Sequence, residues 1–112
     1  MVEPLIIEDV LRADPSKIFF EPFREGVEAC WLYRDGPQGA AAAFLRYTPG
    51  ARVPHHLHGG YEHVLVISGS QTDRNGRHGK GTLVINPPGT THEVVSEDGC
   101  MVLVIWERPV IF

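Results

Sequence analysis

The segment GARVPHHLHGGYEHVLVISG, residues 50–69, holds four of the six histidines of the chain. These histidines and one glutamate fall within the nine residues 55–63. Neutral imidazole and carboxylate groups are both good ligands for divalent transition metals, although crowded histidines also occur on surfaces and in packed cores. Whether this segment forms a metal site therefore depends on which way its side chains point.

Side-chain alternation along a strand divides the histidines between two faces. His56 and His58 share one face, and His55 points away from them. The two glycines at 59 and 60 permit a bend or bulge, so the carboxylate of Glu62 can meet the two imidazoles if the chain turns there. A fourth candidate is His92, which follows the rigid turn NPPGTT thirty residues after Glu62.

The remaining sequence has the pattern of an all-β protein. Six stretches are rich in β-branched or aromatic residues and are bounded by glycine, proline, aspartate or asparagine: residues 27–33, 40–47, 62–67, 81–85, 92–95 and 100–106. Links such as RDGPQG, SGS and EDG are typical of turns, and DRNGR contains the Asn-Gly pair favoured in tight hairpins. Many short strands separated by turns indicate an antiparallel sandwich or barrel.

Several of these stretches are apolar at consecutive positions. This pattern predicts burial on both faces, one toward a barrel interior and the other against a second sheet, the N-terminal strands or a partner subunit. No long helix is predicted, although IEDVLRAD could form one helical turn.

Length and composition predict one domain. The chain has 112 residues, of which 43% are hydrophobic and 21% charged, enough to bury one continuous core. We expect a single domain over residues 1–112, with N-terminal strands and turns in residues 1–26 and the barrel in residues 27–112.

Charge and hydropathy exclude several classes of partner. The formal net charge is −4 without a basic stripe, and Arg74, Arg77 and Lys80 lie in a glycine-containing turn, so we expect no nucleic-acid binding. The acidic N-terminus is not a signal peptide, and the longest apolar runs are too short to cross a bilayer, which favours a cytoplasmic protein without membrane contact.

Cys30 and Cys100 form no CxxC pair and are expected to be reduced thiols in the core.

The histidine-rich segment resembles the first motif of the cupin superfamily. Gly50 is followed after five residues by His56-x-His58, then after three residues by Glu62, and after six more by Gly69. These fixed positions occur in the same order and spacing as in that motif.

A second cupin motif is resembled by GTLVINPPGTTH, residues 81–92. Gly81 is followed after five residues by Pro87-x-Gly89 and after two more by His92. The motif usually ends with asparagine three residues later, where this chain has Ser96, which leaves the surroundings of the ligands uncertain. The resemblance implies a double-stranded β-helix, the small jelly-roll barrel of RmlC-like cupins. It also implies one divalent metal ion per chain, held by His56, His58, Glu62 and His92.

A wider similarity runs from about residue 20 almost to the end. FEPFREGVEACWLYRDG, PGARVPHHLHGG and INPPGTTHEVVSEDGCMVLVIW resemble the cupin domain of ChrR-type anti-sigma factors and their stand-alone relatives. In that family a separate N-terminal helical zinc module with an HxxxCxxC signature binds the sigma factor. This sequence contains no such signature, so only the metal-holding unit is expected here.

Two functions remain open from the sequence. One is a metal-dependent small-molecule enzyme, dioxygenase-like or a related cupin oxidoreductase, and the other is a ChrR-like module that senses a ligand or oxidant without catalysis; an isomerase is a weaker third. An octahedral ion with four protein ligands keeps two positions open for chemistry, but this ligand set does not choose among Zn, Fe, Mn, Ni and Co. The sequence identifies no catalytic base.

Two partners are expected. One is a small molecule in the barrel. The other is a second subunit, because LII near the start and PVIF at the end offer apolar edges for a homodimer.

The other histidines, Tyr61 and the large aromatic residues are predicted to have structural roles or to lie at the surface. His55 and His63 are expected to contact solvent or a subunit, Tyr61 to face away from the site, and His78 to lie in an exposed loop. The large aromatic residues are expected to anchor the core or an interface, and one of them to line the pocket: Trp31, Phe44 and Trp106.

Overall fold

A computed structural model of the protein describes residues 2–112. Two 3₁₀ turns, Val10–Arg12 and Pro15–Lys17, precede ten strands. The strands are β1 (Glu21–Arg24), β2 (Val27–Arg34), β3 (Ala41–Tyr47), β4 (Ala51–His58), β5 (Glu62–Asp73), β6 (Gly76–Gly79), β7 (Leu83–Asn86), β8 (Thr91–Ser96), β9 (Cys100–Trp106) and β10 (Val110–Ile111). The prediction of an all-β fold is confirmed.

The strands form two antiparallel layers that share β5. The first layer has the order β1-β2-β3-β9-β5, with β7 on the other side of β5. The second layer has the order β10-β4-β8-β5, with β6 beside β5. Because the first half of β5 pairs with β9 and its second half with β6 and β8, this one strand closes the barrel.

The barrel interior is built from side chains that alternate along each strand. On β3, Ala41, Ala43, Leu45 and Tyr47 point inward, and Phe44 points outward. The inward side chains pack against aliphatic residues of the other strands: Val27, Val53, Val64, Val66, Val94, Val102 and Val104. An apolar interior of this kind gives the main driving force for folding, and it surrounds any polar group placed inside.

Part of the outer face of the first layer is covered by the N-terminal segment. Phe44, Ile67 and Met101 form a second buried cluster against partly buried residues of the turns and of neighbouring strands: Val10, Ala13, Ile18, Phe20, Cys30, Leu32 and Leu103. The central strands are therefore buried on both faces, as their consecutive apolar residues predicted. Their inner face lines the barrel interior, and the N-terminal segment covers part of their outer face. This segment contributes one strand, β1, and two 3₁₀ turns, the first of them within IEDVLRAD.

Besides shifts of one or two residues at strand ends, the structure differs from the predicted strands in two ways. First, β5 continues six residues beyond the predicted end at Ile67, so the predicted SGS turn is wrong. The β5–β9 register shifts between Val66 and Ser68, and Gly69 has a φ of +72°. β5 therefore forms a bulge at this point and stays paired with β9. Second, β1, β4, β6 and β10 lie outside the six predicted stretches.

Two further features agree with the sequence. The DRNGR segment forms the β5–β6 hairpin, with Asp73 opposite Gly76. The thiols of Cys30 and Cys100 are free, and Cys100 is buried.

Over residues 2–112, no helix has the length and apolar character needed to cross a bilayer.

Candidate metal centre

A bulge in β4 turns two histidines into the barrel. Val53 pairs with Val94, but His56 pairs with His92, so β4 uses one residue more than β8 between these pairs. Pro54 and His55 lie in this bulge and are exposed, which is consistent with the missing N–H of proline. The bulge reverses the alternation that Val53 begins, so that His56 and His58 both become buried.

The second histidine segment is bound directly to the first. The N–H of His58 donates to the Thr90 carbonyl at 2.9 Å, and the N–H of Gly89 donates to the His58 carbonyl at the same distance. Gly89 has a φ of +86°, which glycine adopts at low cost and which lets the chain after Pro87 turn into β8. The turn thereby brings His92 to a ring-centroid distance of 4.6 Å from both His56 and His58.

The three imidazoles are all oriented through their Nδ1 atoms. Nδ1 of His56 lies 2.8 Å from the Pro54 carbonyl, and Nδ1 of His58 lies 3.0 Å from the carbonyl and the hydroxyl of Thr90. Nδ1 of His92 lies 3.0 Å from a carboxylate oxygen of Asp73. Because carbonyl and carboxylate oxygens only accept hydrogen bonds, each Nδ1 bonded to one carries the proton and each Nε2 keeps a free lone pair.

The free nitrogens converge inside the barrel. One ligand atom from each of His56, His58 and His92 can be chosen so that all three lie within 4.8 Å of one another. Nε2 of His58 and Nε2 of His92 are buried without a hydrogen-bond partner. Buried polar atoms are rarely left unpaired, and the rings that carry these two lie beside each other. These three residues could bind a metal ion.

Glu62 lies beside this cluster and is held by two donors. One oxygen accepts a hydrogen bond from the Asn86 amide at 3.1 Å, and the other accepts one from the Trp106 indole at 2.8 Å. Asn86 and Trp106 are the direct cross-strand neighbours of Glu62 on β7 and β9, which explains both contacts. The oxygen bonded to Asn86 is also 3.3 Å from Nε2 of His58.

The charges in the site favour an ionised Glu62 among histidines of unequal basicity. Burial alone would raise the pKa of Glu62, but His58 and the two other histidines outweigh it, and the pKa is lowered. Burial alone would lower the pKa of His58, but Glu62, the Thr90 carbonyl and the charge of Asp73 together outweigh it, and the pKa is raised. The pKa of His56 is lowered, chiefly by burial. His58 is therefore the imidazole whose proton Glu62 stabilises most directly.

A cavity of about 150 Å³ adjoins the histidines. Among the cluster, His56, Glu62 and His92 line it, and Trp31 and Trp106 form part of its wall. Most of the other lining side chains are apolar, for example Val27, Leu45, Val53, Val64, Val94 and Val104. An apolar cavity of roughly this volume accommodates a benzene-sized molecule.

The other singled-out residues lie mostly where the sequence indicated. His55 and Tyr61 are exposed, and Tyr61 stacks on the half-buried ring of His63 outside the barrel. Phe44 is a core residue of the outer cluster, and Trp106 is both a core residue and a wall of the cavity.

The interpretation of His78 as an exposed loop residue is wrong. His78 lies on β6, and its side chain is 17% exposed. The β5–β6 hairpin brings it opposite Gln71 and within 2.9 Å of a carboxylate oxygen of Asp73, whose other oxygen contacts His92. The pKa of Asp73 is lowered because hydrogen bonds from His78, His92 and the Asn75 N–H outweigh its burial.

Sequence reasoning missed three residues that orient the cluster: Asp73, Asn86 and Thr90. An aspartate before an Asn-Gly turn and an asparagine before a proline are common turn residues, so neither stands out. Their roles follow from cross-strand register, which the sequence does not state.

Similarity to known proteins was found for most of the chain. Residues 8–108 match the family described as the ChrR cupin-like domain. Over 77 residues, or 66% of this chain, it is 36% identical to the anti-sigma-E factor ChrR of Cereibacter sphaeroides. The match spans 36% of that relative, so the chain corresponds to only part of it.

Solved structures with the same fold include two of particular interest. The Rhodobacter sphaeroides SigE complex with the anti-sigma factor ChrR matches with a TM-score of 0.74 and 28% identity, over 88% of this chain and 54% of that one. An acetylacetone dioxygenase from Acinetobacter johnsonii matches with a TM-score of 0.75 over 98% of this chain and 80% of that one, but at 14% identity it supports the fold alone. The cupin fold is thus confirmed, and the chain belongs to the ChrR cupin-like domain family.

Proposed function

We propose that this protein is a mononuclear divalent-metal cupin in which His56, His58, Glu62 and His92 hold one ion beside a small-molecule cavity. The observation that carries the proposal is the pair of buried, unpartnered Nε2 atoms on His58 and His92. With neutral imidazoles and no bound cation, both atoms stay desolvated and unsatisfied, although Nε2 of His58 faces the Glu62 carboxylate, and this is costly in an apolar interior. A divalent cation would satisfy both.

The residues around the cluster suit ligation in three ways. Carbonyl and carboxylate partners hold each Nδ1 proton and aim each Nε2 inward. Asn86 and Trp106 fix both oxygens of an ionised Glu62. The valine-rich wall excludes water from the remaining side. A divalent ion bound here would supply Lewis acidity and, if redox-active, electron transfer to a substrate or to dioxygen.

We propose that the cavity holds a small organic substrate for oxidative, dioxygenase-like chemistry. His56, Glu62 and His92 line the cavity, so a molecule bound in it lies directly against the ligand cluster. The apolar wall would bind the body of the substrate and keep bulk water away from it.

The alternative is a regulatory module that binds a ligand or an oxidant without turnover. It is favoured by the 36% identity to the anti-sigma-E factor ChrR. In this alternative the metal cluster and cavity are the same, but occupancy changes the assembly or metal content of the protein.

One experiment separates the two functions. Elemental analysis of protein purified from its native host identifies the metal, and oxygen-uptake screening is then performed with that metal in place. Iron, manganese or nickel at about one ion per chain with substrate-dependent oxygen uptake supports the enzyme. Zinc without uptake, together with a change in assembly on oxidant exposure, supports the sensor. Protein without any stoichiometric metal contradicts both.

Asp73→Asn is expected to weaken metal binding about tenfold or more, because the carboxylate that orients His92 loses its charge. Competition with a chromophoric chelator measures the affinity. Asp98→Asn is the matched control, since Asp98 pairs with Arg77 on the surface. Equal affinities in the two variants would contradict a role for Asp73.

Metal affinity is expected to decrease as the pH falls from 8 to 5. Metal ligation requires neutral imidazoles, and the raised pKa of His58 means that its proton begins to compete above the ordinary value of about 6.5. The lowered pKa values of His56 and Glu62 keep those two groups in their ligating forms to lower pH. Dialysis across this range followed by elemental analysis measures the loss. Retention independent of pH would argue against histidine ligation.

We also propose a homodimer that packs the outer face of β7, β5 and β9 against a second copy. Leu83, Ile85 and Ile105 on this face are 56%, 50% and 40% exposed. Exposed apolar groups on one sheet face are typical of an interface. Ile85→Glu is therefore expected to give monomers in light scattering, whereas Tyr33→Glu, at an exposed position on β2, should remain dimeric. A monomeric wild-type protein would exclude this interface.

A further inference from the structure

The cavity beside the metal centre contains hydrogen-bonding groups that metal ligation does not use. Tyr47 and Gln71 are 7% and 8% exposed, and both line the cavity. The Tyr47 hydroxyl and the Gln71 amide can both donate hydrogen bonds. Burial strongly raises the pKa of Tyr47, so its hydroxyl stays protonated and can donate a hydrogen bond.

The rim of the cavity carries positive charge. Arg24 and Arg34 line it, and among residues 2–112 neither has a carboxylate within ion-pair distance. Both guanidinium groups rest on aromatic rings instead: that of Arg34 is 4.0 Å from the Trp31 centroid, and that of Arg24 is 4.2 Å from the Phe112 centroid. Stacked guanidinium groups keep their in-plane N–H donors free for an anion.

The Phe112 ring that Arg24 covers also lies 5.5 Å from the His56 ring, which places this guanidinium group near the histidine cluster. The acidic residue that lines the cavity is Glu62, and both of its oxygens are already hydrogen-bonded. Donors without acceptors therefore face an apolar space next to the ligand cluster.

The wall near this donor group is aromatic. The rings of Phe23, Trp31 and Trp106 form one cluster, with centroids 5.3 to 6.4 Å apart. Aromatic clusters also bind organic cations, but two unpaired arginines at the rim disfavour a cationic ligand. The arrangement fits an apolar or aromatic body with one negative charge.

We propose that the cavity binds a small apolar monoanion, a carboxylate or an enolate of about benzene size, whose charged group is held by Arg24 and the Tyr47 hydroxyl. The inference deepens the proposed function, because it names the class of ligand that lies against the metal centre. The Gln71 amide offers a further hydrogen-bond donor in the cavity, and Phe23, Trp31 and Trp106 contact the apolar body.

The test is calorimetric titration of the purified protein with benzoate at pH 8, with benzamide and benzylammonium as neutral and cationic analogues. Benzoate is expected to bind at least tenfold more tightly than either analogue. Arg24→Gln and Tyr47→Phe are each expected to weaken benzoate binding about tenfold, because each removes a hydrogen bond to a charged group. Arg77→Gln and Tyr33→Phe are matched controls at exposed positions and should bind as the wild type does.

Elemental analysis of the same samples keeps the two proposals distinguishable. Normal metal content with benzoate binding that is absent, or unaffected by both substitutions, would overturn this inference and leave the metal centre intact. Benzoate binding sensitive to both substitutions in protein that takes up no metal would overturn the proposed metal centre alone. Equal or tighter binding of benzylammonium would also overturn the inference.

Discussion

His92→Ala is expected to lower metal affinity by at least about 100-fold while leaving the barrel folded. Changes that only disturb the orientation of a ligand cost about 10- to 100-fold, and removal of the ligand itself should cost no less. Asp73 keeps its hydrogen bonds from His78 and the Asn75 N–H after the substitution, so no carboxylate is left without a partner. Elemental analysis after dialysis, with circular dichroism of the same sample, measures both parts of the expectation.

His55→Ala is the matched control for this substitution. His55 is adjacent to His56 but exposed in the β4 bulge, so its loss removes an imidazole without removing a proposed ligand. Its metal content should equal that of the wild type. Full metal stoichiometry in His92→Ala would remove His92 from the site.

Gly69→Ala is expected to destabilise the protein by about 3 kcal/mol or more, and so to lower the melting temperature by roughly 10 to 20 °C. Gly69 has a φ of +72°, and an added Cβ would lie 2.0 Å from the Gly99 carbonyl oxygen and 2.8 Å from Cα of Cys100. Both contacts are with backbone, and Gly69 pairs with Cys100, so the clash cannot be relieved without opening the β5–β9 pairing.

Gly81→Ala separates the steric cost from the conformational one. Gly81 has a φ of +84°, but an added Cβ there meets no atom within 4 Å. Its substitution should cost only about 1 kcal/mol, the price of a left-handed backbone for a residue with a side chain. Differential scanning calorimetry of both variants measures the difference. Equal losses would mean that the approach of Gly99 to Gly69 has no energetic consequence.

Part of the fold and of the candidate site could be predicted, because the sequence patterns that specify turns, strands and strand faces involve only neighbouring residues. Proline and glycine mark the turns, β-branched runs mark the strands, and alternation alone places His56 and His58 on one face with His55 on the other. The fixed spacing of the two histidine segments identified the cupin fold. The four-residue ligand set remains a proposal, although three of its imidazoles converge in the structure.

The residues that surround these histidines could not be predicted in the same way. Asp73 reaches His92 because β5 passes from one layer of the barrel to the other. Asn86 and Trp106 reach Glu62 because three strands align in one register. Such contacts depend on pairing between distant segments, which a sequence pattern does not specify.

The sequence by itself determined the class of fold, the Asn-Gly hairpin turn and the shared face of His56 and His58, because backbone geometry and side-chain alternation are local properties. The tertiary structure decided which face became the inside. A single extra residue at Pro54 and His55 reverses the alternation relative to β8, so Val53 and His56 are both buried. Without that bulge the period of two would turn His56 and His58 outward, since every residue after the bulge would change face.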